Sequence, residues 1–223
     1  MSSESHAGCA IGWAWTLGLP RSRRTGLVAK RAFDIAVSTV LLVLLAPVMA
    51  LLAVAVRLTS PGPALFVQRR IGYRCAEFDM YKFRTMVPDA ELEEARLVAR
   101  QDGKTFLKIA NDPRVTRIGR LLRKCSLDEL PQLYNVLRGN MSLVGPRPLL
   151  RSDLERYPRA DLMRRFAMKP GISGLWQVSG RSLLPDTARI RLDLQYVDGW
   201  SLGGDALILV KTVGVVLAGR GAL

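Results

Sequence analysis

Residues 35–56 read IAVSTVLLVLLAPVMALLAVAV, and no charged side chain interrupts them. Fully helical, the stretch reaches about 33 Å at about 1.5 Å per residue, enough to cross the apolar core of a bilayer. A helix that is apolar on every side belongs in lipid rather than in a small soluble core. Pro47 sits within the run, where its ring removes a backbone hydrogen bond and bends the helix. Both flanks are basic, with Arg21, Arg23, Arg24, Lys30 and Arg31 before the run and Arg57, Arg69, Arg70 and Arg74 after it. Basic flanks mark the cytoplasmic side. A straight span would carry one of them outward, whereas a helix bent at Pro47 dips into one leaflet and keeps both inside. The second arrangement is preferred. The expected organisation is a variable N-terminal tail over 1–29, a re-entrant membrane helix hairpin over 30–57, and a cytosolic body over 58–223.

Composition bounds the partners. The chain has 223 residues, 49% hydrophobic and 23% charged, with 33 Lys+Arg against 19 Asp+Glu for a formal charge of +14. That much apolar content excludes a disordered chain, and no fixed repeat period runs through it. Strong positive charge seeks polyanions: nucleic acid, an anionic membrane face, or phosphorylated ligands. Aromatic residues are only 7%, and no basic run is interleaved with stacking side chains, which argues against nucleic acid. Cys9, Cys75 and Cys125 are odd in number and far apart, so neither a disulfide framework nor a zinc site is expected. Free thiols fit a reducing compartment. The segment ahead of Cys9 lacks an apolar run and early positive charge, so it does not read as a signal peptide.

Beyond the run the pattern predicts an α+β, mainly helical body. Residues 62–86 read as a short β-hairpin turning at 71–76. Residues 89–101 read as a surface helix with acids early and arginines late. Residues 114–124 read as a basic amphipathic helix, with Val115, Ile118, Leu121 and Leu122 on one face and a stripe of Arg114, Arg117, Arg120 and Arg123 beside them. Such a helix suits a membrane surface or an ordinary solvated face. Residues 206–218 form a core or interfacial helix, too short to span.

The segment from Ser126 to Leu137, SLDELPQLYNVL, places Asp128 and Glu129 side by side at a helix start. Ser126 with Glu129 resembles a capping box, and taking Asp128 as the cap instead puts Pro131 in the first turn. Acids at helix starts are usually caps. The surroundings suggest more. A helix start favours bound phosphate and an ionised Asp128. Arg123 and Lys124 lie just upstream, and the rigid turn Gly145-Pro146-Arg147-Pro148 presents an arginine, whose fork matches phosphate oxygens. Carboxylates among arginines on a membrane-attached body suggest metal-assisted chemistry on a phosphate ester.

Taken in order, five segments resemble the bacterial sugar transferase family, the monotopic polyprenyl-phosphate phosphoglycosyl transferases. They are the entry KRAFD at 30–34 with the exit TSPGP at 59–63, then YKFRTM at 81–86, SLDELPQL at 126–133, NVLRGNMSLVGPRP at 135–148, and KPGISGLWQVSGR at 169–181. The resemblance implies an enzyme that transfers a sugar-1-phosphate from a UDP-sugar to undecaprenyl phosphate and releases UMP, the initiating step of exopolysaccharide or other surface glycan assembly. It makes Asp128 the covalent nucleophile and, beside Mg²⁺, a metal-site residue. Glu129 would support the metal or assist proton movement. Arg123 and Arg147 match phosphate-contacting positions, and Lys82, Arg84 and Arg181 complete the expected substrate-binding set. The family's membrane helix breaks at a Ser-Pro pair, which here is Ala46-Pro47. The tryptophan-containing segment 174–181 is similar to members that handle galactose or glucose, with N-acetylated or diacetamido sugars as the alternative. The resemblance further implies a place in the bacterial inner membrane, lipid contacts there, a catalytic body on the cytoplasmic face and downstream glycosyltransferases as partners. A membrane-bound adapter without activity would leave the ordered motifs unexplained.

Overall fold

A single helix, α1 (Arg21–Thr59, 39 residues), is the rod on which the other elements are hung. The computed structural model describes residues 21–88, 90, 112–154 and 164–218. The helix expected at 89–101, residues 1–20 of the expected tail and Cys9 lie outside the described residues. The remainder of that tail, 21–29, forms the first turns of α1. Gly26 is tolerated there because its bare Cα lets Trp200 close in; a Cβ would stand 3.1 Å from the indole.

α1 runs continuously through Pro47. Its two halves both touch the body. Leu27, Val37, Leu41 and Leu42 pack on the main core, and Met49, Leu52 and Ala53 pack on a second cluster built around Val56, Phe83 and Leu122. On the opposite side Val43, Leu44 and Leu51 are exposed, an apolar surface that water would not tolerate at this length. A polar stripe faces inward at helical spacing. Lys30, Asp34 and Ser38 are all buried. Lys30 Nζ reaches Asp205 Oδ2 at 2.6 Å and donates to the Val144 carbonyl at 3.0 Å. Asp34 Oδ1 accepts the Leu143 amide at 3.2 Å.

The expected hairpin forms. β1 (Leu65–Ile71) and β2 (Glu77–Phe83) pair antiparallel from Leu65↔Phe83 to Ile71↔Glu77. Strand alternation puts Phe78, Met80 and Lys82 on one face and Tyr81 and Phe83 on the other. Helix α2 (Arg117–Lys124) is capped by Thr116, whose Oγ1 accepts the Gly119 amide at 2.9 Å. It starts later than the sequence suggests, and this breaks both expected stripes. Val115 precedes the helix and bridges to Met86, while Leu121 is 54% exposed beside the buried Leu122. Arg114 is buried against Asp112 at 2.7 Å, and Arg123 Nε turns to Thr85 Oγ1 at 2.9 Å.

Helix α3 (Gln132–Arg138) ends at Gly139, whose φ of 87° supplies the left-handed cap. Arg31 of α1 donates to the Val136 and Leu137 carbonyls at 2.6 and 2.9 Å, closing that helix end. Asn135 of α3 stitches the free edge of β2. Its Oδ1 accepts the Tyr81 amide at 3.0 Å and its Nδ2 donates to the Asp79 carbonyl at 2.7 Å. A second sheet joins β3 (Ser142–Val144) and β4 (Gly171–Ser173) in parallel. Glycines make that approach possible: a Cβ on Gly171 would lie 2.1 Å from the Gly145 nitrogen. Helix α4 (Asp186–Asp198) and helix α5 (Leu202–Leu217) complete the fold. α5 turns Ile208 into the core and leaves Leu207, Val210 and Val213 outside, as an interfacial helix would.

Asp205 ties these parts together. Besides Lys30 it accepts from Tyr196 Oη at 2.8 Å and Trp200 Nε1 at 3.1 Å. With side chains 7% and 6% exposed, the Lys30–Asp205 pair is a buried one. Lys30→Met should cost roughly 3–5 kcal/mol, because it strands a buried carboxylate, and adding Asp205→Leu should recover part of that loss. Thermal unfolding of detergent-solubilised protein measures both; equal melting of Lys30→Met and wild type would contradict the assignment.

Candidate active site

The acid pair does not cap a helix. Leu127–Glu129 form a separate 3-10 turn ahead of α3, and Pro131 takes the N-cap position. Ser126 adopts left-handed φ of 55° and makes no side-chain cap. The amides of Glu129 and Leu130 are taken by the Ser126 and Leu127 carbonyls at 3.3 Å. Neither expected capping register is therefore present, and the site's positive field comes from side chains rather than from a helix end.

Those side chains converge from four segments. Lys82, on the inner face of β2, donates to Glu129 Oε1 at 3.0 Å. Arg147, from the turn after β3, reaches the same oxygen with both terminal nitrogens at 3.4 Å. Arg123, from the end of α2, acts electrostatically on Asp128 together with Lys82 and Arg147. Arg70, from β1, lies close enough to Arg147 to feel its charge; burial first, then that repulsion, lowers it to about 10. Burial works to raise Glu129, but Lys82 and Arg147 overcome it and hold the carboxyl down at about 2. Asp128 is the opposite case. Burial raises it, the Glu129 charge raises it further, and the three cations only partly offset this. Burial lowers Lys82 against the pull of Glu129.

Asp128 takes part in no hydrogen bond or ion pair among the described residues, unlike Glu129. No trio of acidic, His or Cys side chains able to hold a metal occurs among the described residues. One free carboxylate still suits Mg²⁺, which commonly takes one or two protein carboxylates and fills its octahedron with substrate phosphate oxygens and water.

Arg181 bonds the turn from below, donating to Ser126 Oγ at 2.9 Å. Arg84 does not join the cluster. Its guanidinium grips the end of α1 instead, donating to the Ser60 and Pro61 carbonyls at 2.8 and 2.7 Å and to Ser60 Oγ at 2.8 Å. Next along β2 from Lys82 but one, it sits where the strand runs out toward α1. Two features are not legible in the sequence. Arg70 was legible only as flank charge. Arg165 donates to the Arg147 carbonyl at 2.6 Å while pairing with Asp193 at 2.6 Å, which fixes the arginine turn from behind. Trp176 of the 174–181 segment has both the Arg147 and the Arg189 guanidinium groups over its ring, at 5.9 and 5.2 Å. The parallel β3–β4 ladder is what carries this tryptophan to the site.

The family model for bacterial sugar transferases matches residues 25–219. The chain is 42% identical over 205 residues to the exopolysaccharide production protein ExoY of Rhizobium meliloti, covering 90% of both chains. It is 44% identical over 207 residues to the undecaprenyl-phosphate galactose phosphotransferase of Salmonella typhimurium, covering 90% of this chain and 43% of that one. It is also 41% identical over 198 residues to the UDP-N-acetylgalactosamine-undecaprenyl-phosphate N-acetylgalactosaminephosphotransferase of Aeromonas hydrophila, covering 86% and 44%. The chain thus spans most of the first relative and less than half of the other two.

The depressed Glu129 pKa, about 2 against 4.5, has a stability consequence. Its contribution is fully present above pH 4.5 and is lost as pH falls toward 2, by an amount on the order of 3 kcal/mol. Glu129→Gln should therefore unfold more easily at pH 7 yet lose less further stability between pH 4.5 and 2. Melting curves across that range in detergent would show the flatter profile; parallel curves would argue against the ion pairs.

Proposed function

The chain belongs to the bacterial sugar transferase family, and from that we propose that it transfers a sugar-1-phosphate from a UDP-sugar to undecaprenyl phosphate and releases UMP. The observation that carries this reading is the contrast within the acid pair: Glu129 is tied to Lys82 and Arg147, while Asp128 is unbonded among the same cations. An Asp128 oxygen attacks the β-phosphorus, the bond to the UMP oxygen breaks, and the sugar phosphate stays on the aspartate. An oxygen of the lipid phosphate then attacks that phosphorus and frees Asp128. Two anions must meet in each step, and Lys82, Arg123 and Arg147 reduce their repulsion. Mg²⁺, bound by Asp128 and the substrate phosphates, would supply further charge compensation. A carboxyl held near 2 stays ionised at neutral pH, so Glu129 orients Lys82 and Arg147 rather than shuttling protons. Arg147 beside Trp176 suits the nucleotide end, and Arg181 braces Ser126 beneath the acid turn.

The Trp176 segment favours an unmodified hexose, galactose or glucose. The Aeromonas relative keeps an N-acetylated sugar as the second reading. In either case the product begins an exopolysaccharide or other surface glycan, and downstream glycosyltransferases extend it. The protein sits in the bacterial inner membrane with its body on the cytoplasmic face, where UDP-sugars are made. Contacts from both halves of α1 to one body support the re-entrant arrangement, because a straight crossing would take one half away from that body. Only residues 43–48, around Pro47, lie between the two contact zones. Leu121, exposed beside Arg117 and Arg120 on α2, suits contact with the anionic membrane surface.

Three measurements check this reading. With labelled UDP-galactose or UDP-glucose and no lipid acceptor, wild type should retain label and release UMP once per enzyme, whereas Asp128→Asn should do neither. Retention of label by Asp128→Asn would remove it as nucleophile. EDTA should stop turnover and excess Mg²⁺ restore it; indifference to EDTA would exclude the metal. For topology, Ser22→Cys in a background without Cys9, Cys75 and Cys125 should resist a membrane-impermeant thiol reagent in intact cells and react after permeabilisation. Labelling in intact cells would mean that α1 crosses the bilayer.

A further inference from the structure

Lys30 and Arg31 are adjacent on α1 but end in different surroundings. Lys30 is neutralised inside by Asp205, whereas Arg31 donates only to the Val136 and Leu137 carbonyls among the described residues. Beside Arg31 stands Lys169, half-buried in the segment just ahead of β4. A Cβ on Gly139 would lie 3.4 Å from Arg31 Nη2 and 3.5 Å from Lys169 Nζ. Both cations therefore border one small space, which stays open because Gly139 has no side chain. Lys169 forms no hydrogen bond or ion pair among the described residues. Asp34 acts on it only through space, since Asp34 Oδ1 is taken by the Leu143 amide. Burial first, then the Arg31 charge, lowers the Lys169 ammonium. Two like charges held together in partial burial repel, and an anion between them reverses the sign of the interaction.

The place of this pair limits the anion. Val28 and Ile35, one turn before and one turn after Arg31 on the same side of α1, are 71% and 42% exposed. Ile35 opens the uncharged run, so Arg31 stands where apolar surface gives way to the body, at the depth of lipid headgroups. The seven residues of α3 separate the pair from the acid turn by about 10 Å, so Lys82, Arg123 and Arg147 do not share its ligand. We infer that Arg31 and Lys169 bind the phosphodiester of an anionic phospholipid over Gly139, with its acyl chains along Val28 and Ile35. A phosphate there accepts charge-assisted hydrogen bonds from both cations. An anionic headgroup fits better than a zwitterionic one, whose ammonium the same two cations would repel. The bound lipid joins α1, the end of α3 and the segment ahead of β4. The inference needs the apolar run to lie in lipid and takes nothing from the transfer reaction.

Native mass spectrometry of the full chain in detergent, titrated with phosphatidylglycerol, tests this. Wild type should retain one phosphatidylglycerol molecule, and phosphatidylcholine roughly tenfold more weakly. Lys169→Gln should weaken phosphatidylglycerol roughly tenfold, and Lys169→Arg, which keeps the charge, should restore it. Arg191→Gln removes the same charge from an exposed position on α4 and should change nothing. Equimolar inorganic phosphate should not displace the lipid. Equal retention of phosphatidylcholine, displacement by inorganic phosphate, undiminished binding to a normally melting Lys169→Gln, or equal weakening in Arg191→Gln would each overturn the inference. Release of the protein from membranes by a carbonate wash would instead sink the placement in lipid, while the lipid count would still decide the site.

Discussion

One buried ammonium group sits at the centre of the contact between the long apolar helix and the body. Lys30 enters the interior from α1 and satisfies both Asp205 at the start of α5 and the Val144 carbonyl at the end of β3. Tyr196 also reaches that carbonyl, at 3.0 Å. The three groups thereby fix where β3 stops, and Gly145 to Arg147 follow at once. The position of Arg147 in the site is in this sense set from the anchor. A buried charge pair is a poor source of net stability, since desolvation offsets most of the attraction. What it supplies here is a single alignment of rod against body, which a purely apolar contact along a greasy helix would leave free to slide.

The site itself obeys a related constraint. Four cations cannot be crowded near one another without anions, and Glu129 is the fixed anion that lets Lys82 and Arg147 stay close. Asp128, buried and without a hydrogen bond or ion pair among the described residues, is then left as the carboxylate proposed to react. Two adjacent residues of nearly the same chemistry acquire different roles from their hydrogen-bond partners alone.

How much of this the sequence displays depends on how local each signal is. The apolar run, the hairpin with its turn, and the acid pair are contiguous patterns, and each was visible. The inward stripe of α1 was not, because Lys30 and Asp34 find partners more than a hundred residues away. The β3–β4 ladder joins two three-residue strands whose pairing is written only in the glycines that permit close approach. Asp128 is legible but its local setting is not: the capping pattern at Ser126 and Glu129 is genuine as a string, and the left-handed Ser126 makes it a 3-10 turn instead. Arg84 stands two residues past Lys82 and just beyond the end of the strand, where the chain path past Phe83 swings it to α1. The family resemblance implies the chemistry; packing decides which arginines lie beside the acid pair.

The alternation of β2 has a further consequence. Tyr81 and Phe83 face the apolar side against α1 while Lys82 between them faces Glu129, so inserting or deleting one residue ahead of them within the strand would exchange their faces. Lys82 would then point toward Met49 and Ala53 of α1 and Tyr81 toward the acid turn. Length changes inside the strand are therefore governed by parity, and the turn at 72–76 is no freer, because the Arg74 amide donates to the Phe166 carbonyl at 2.9 Å and Cys75 packs on the Ile71 cluster. The end of the strand acts as a reading frame for its two faces, and single-residue indels there are its frameshifts.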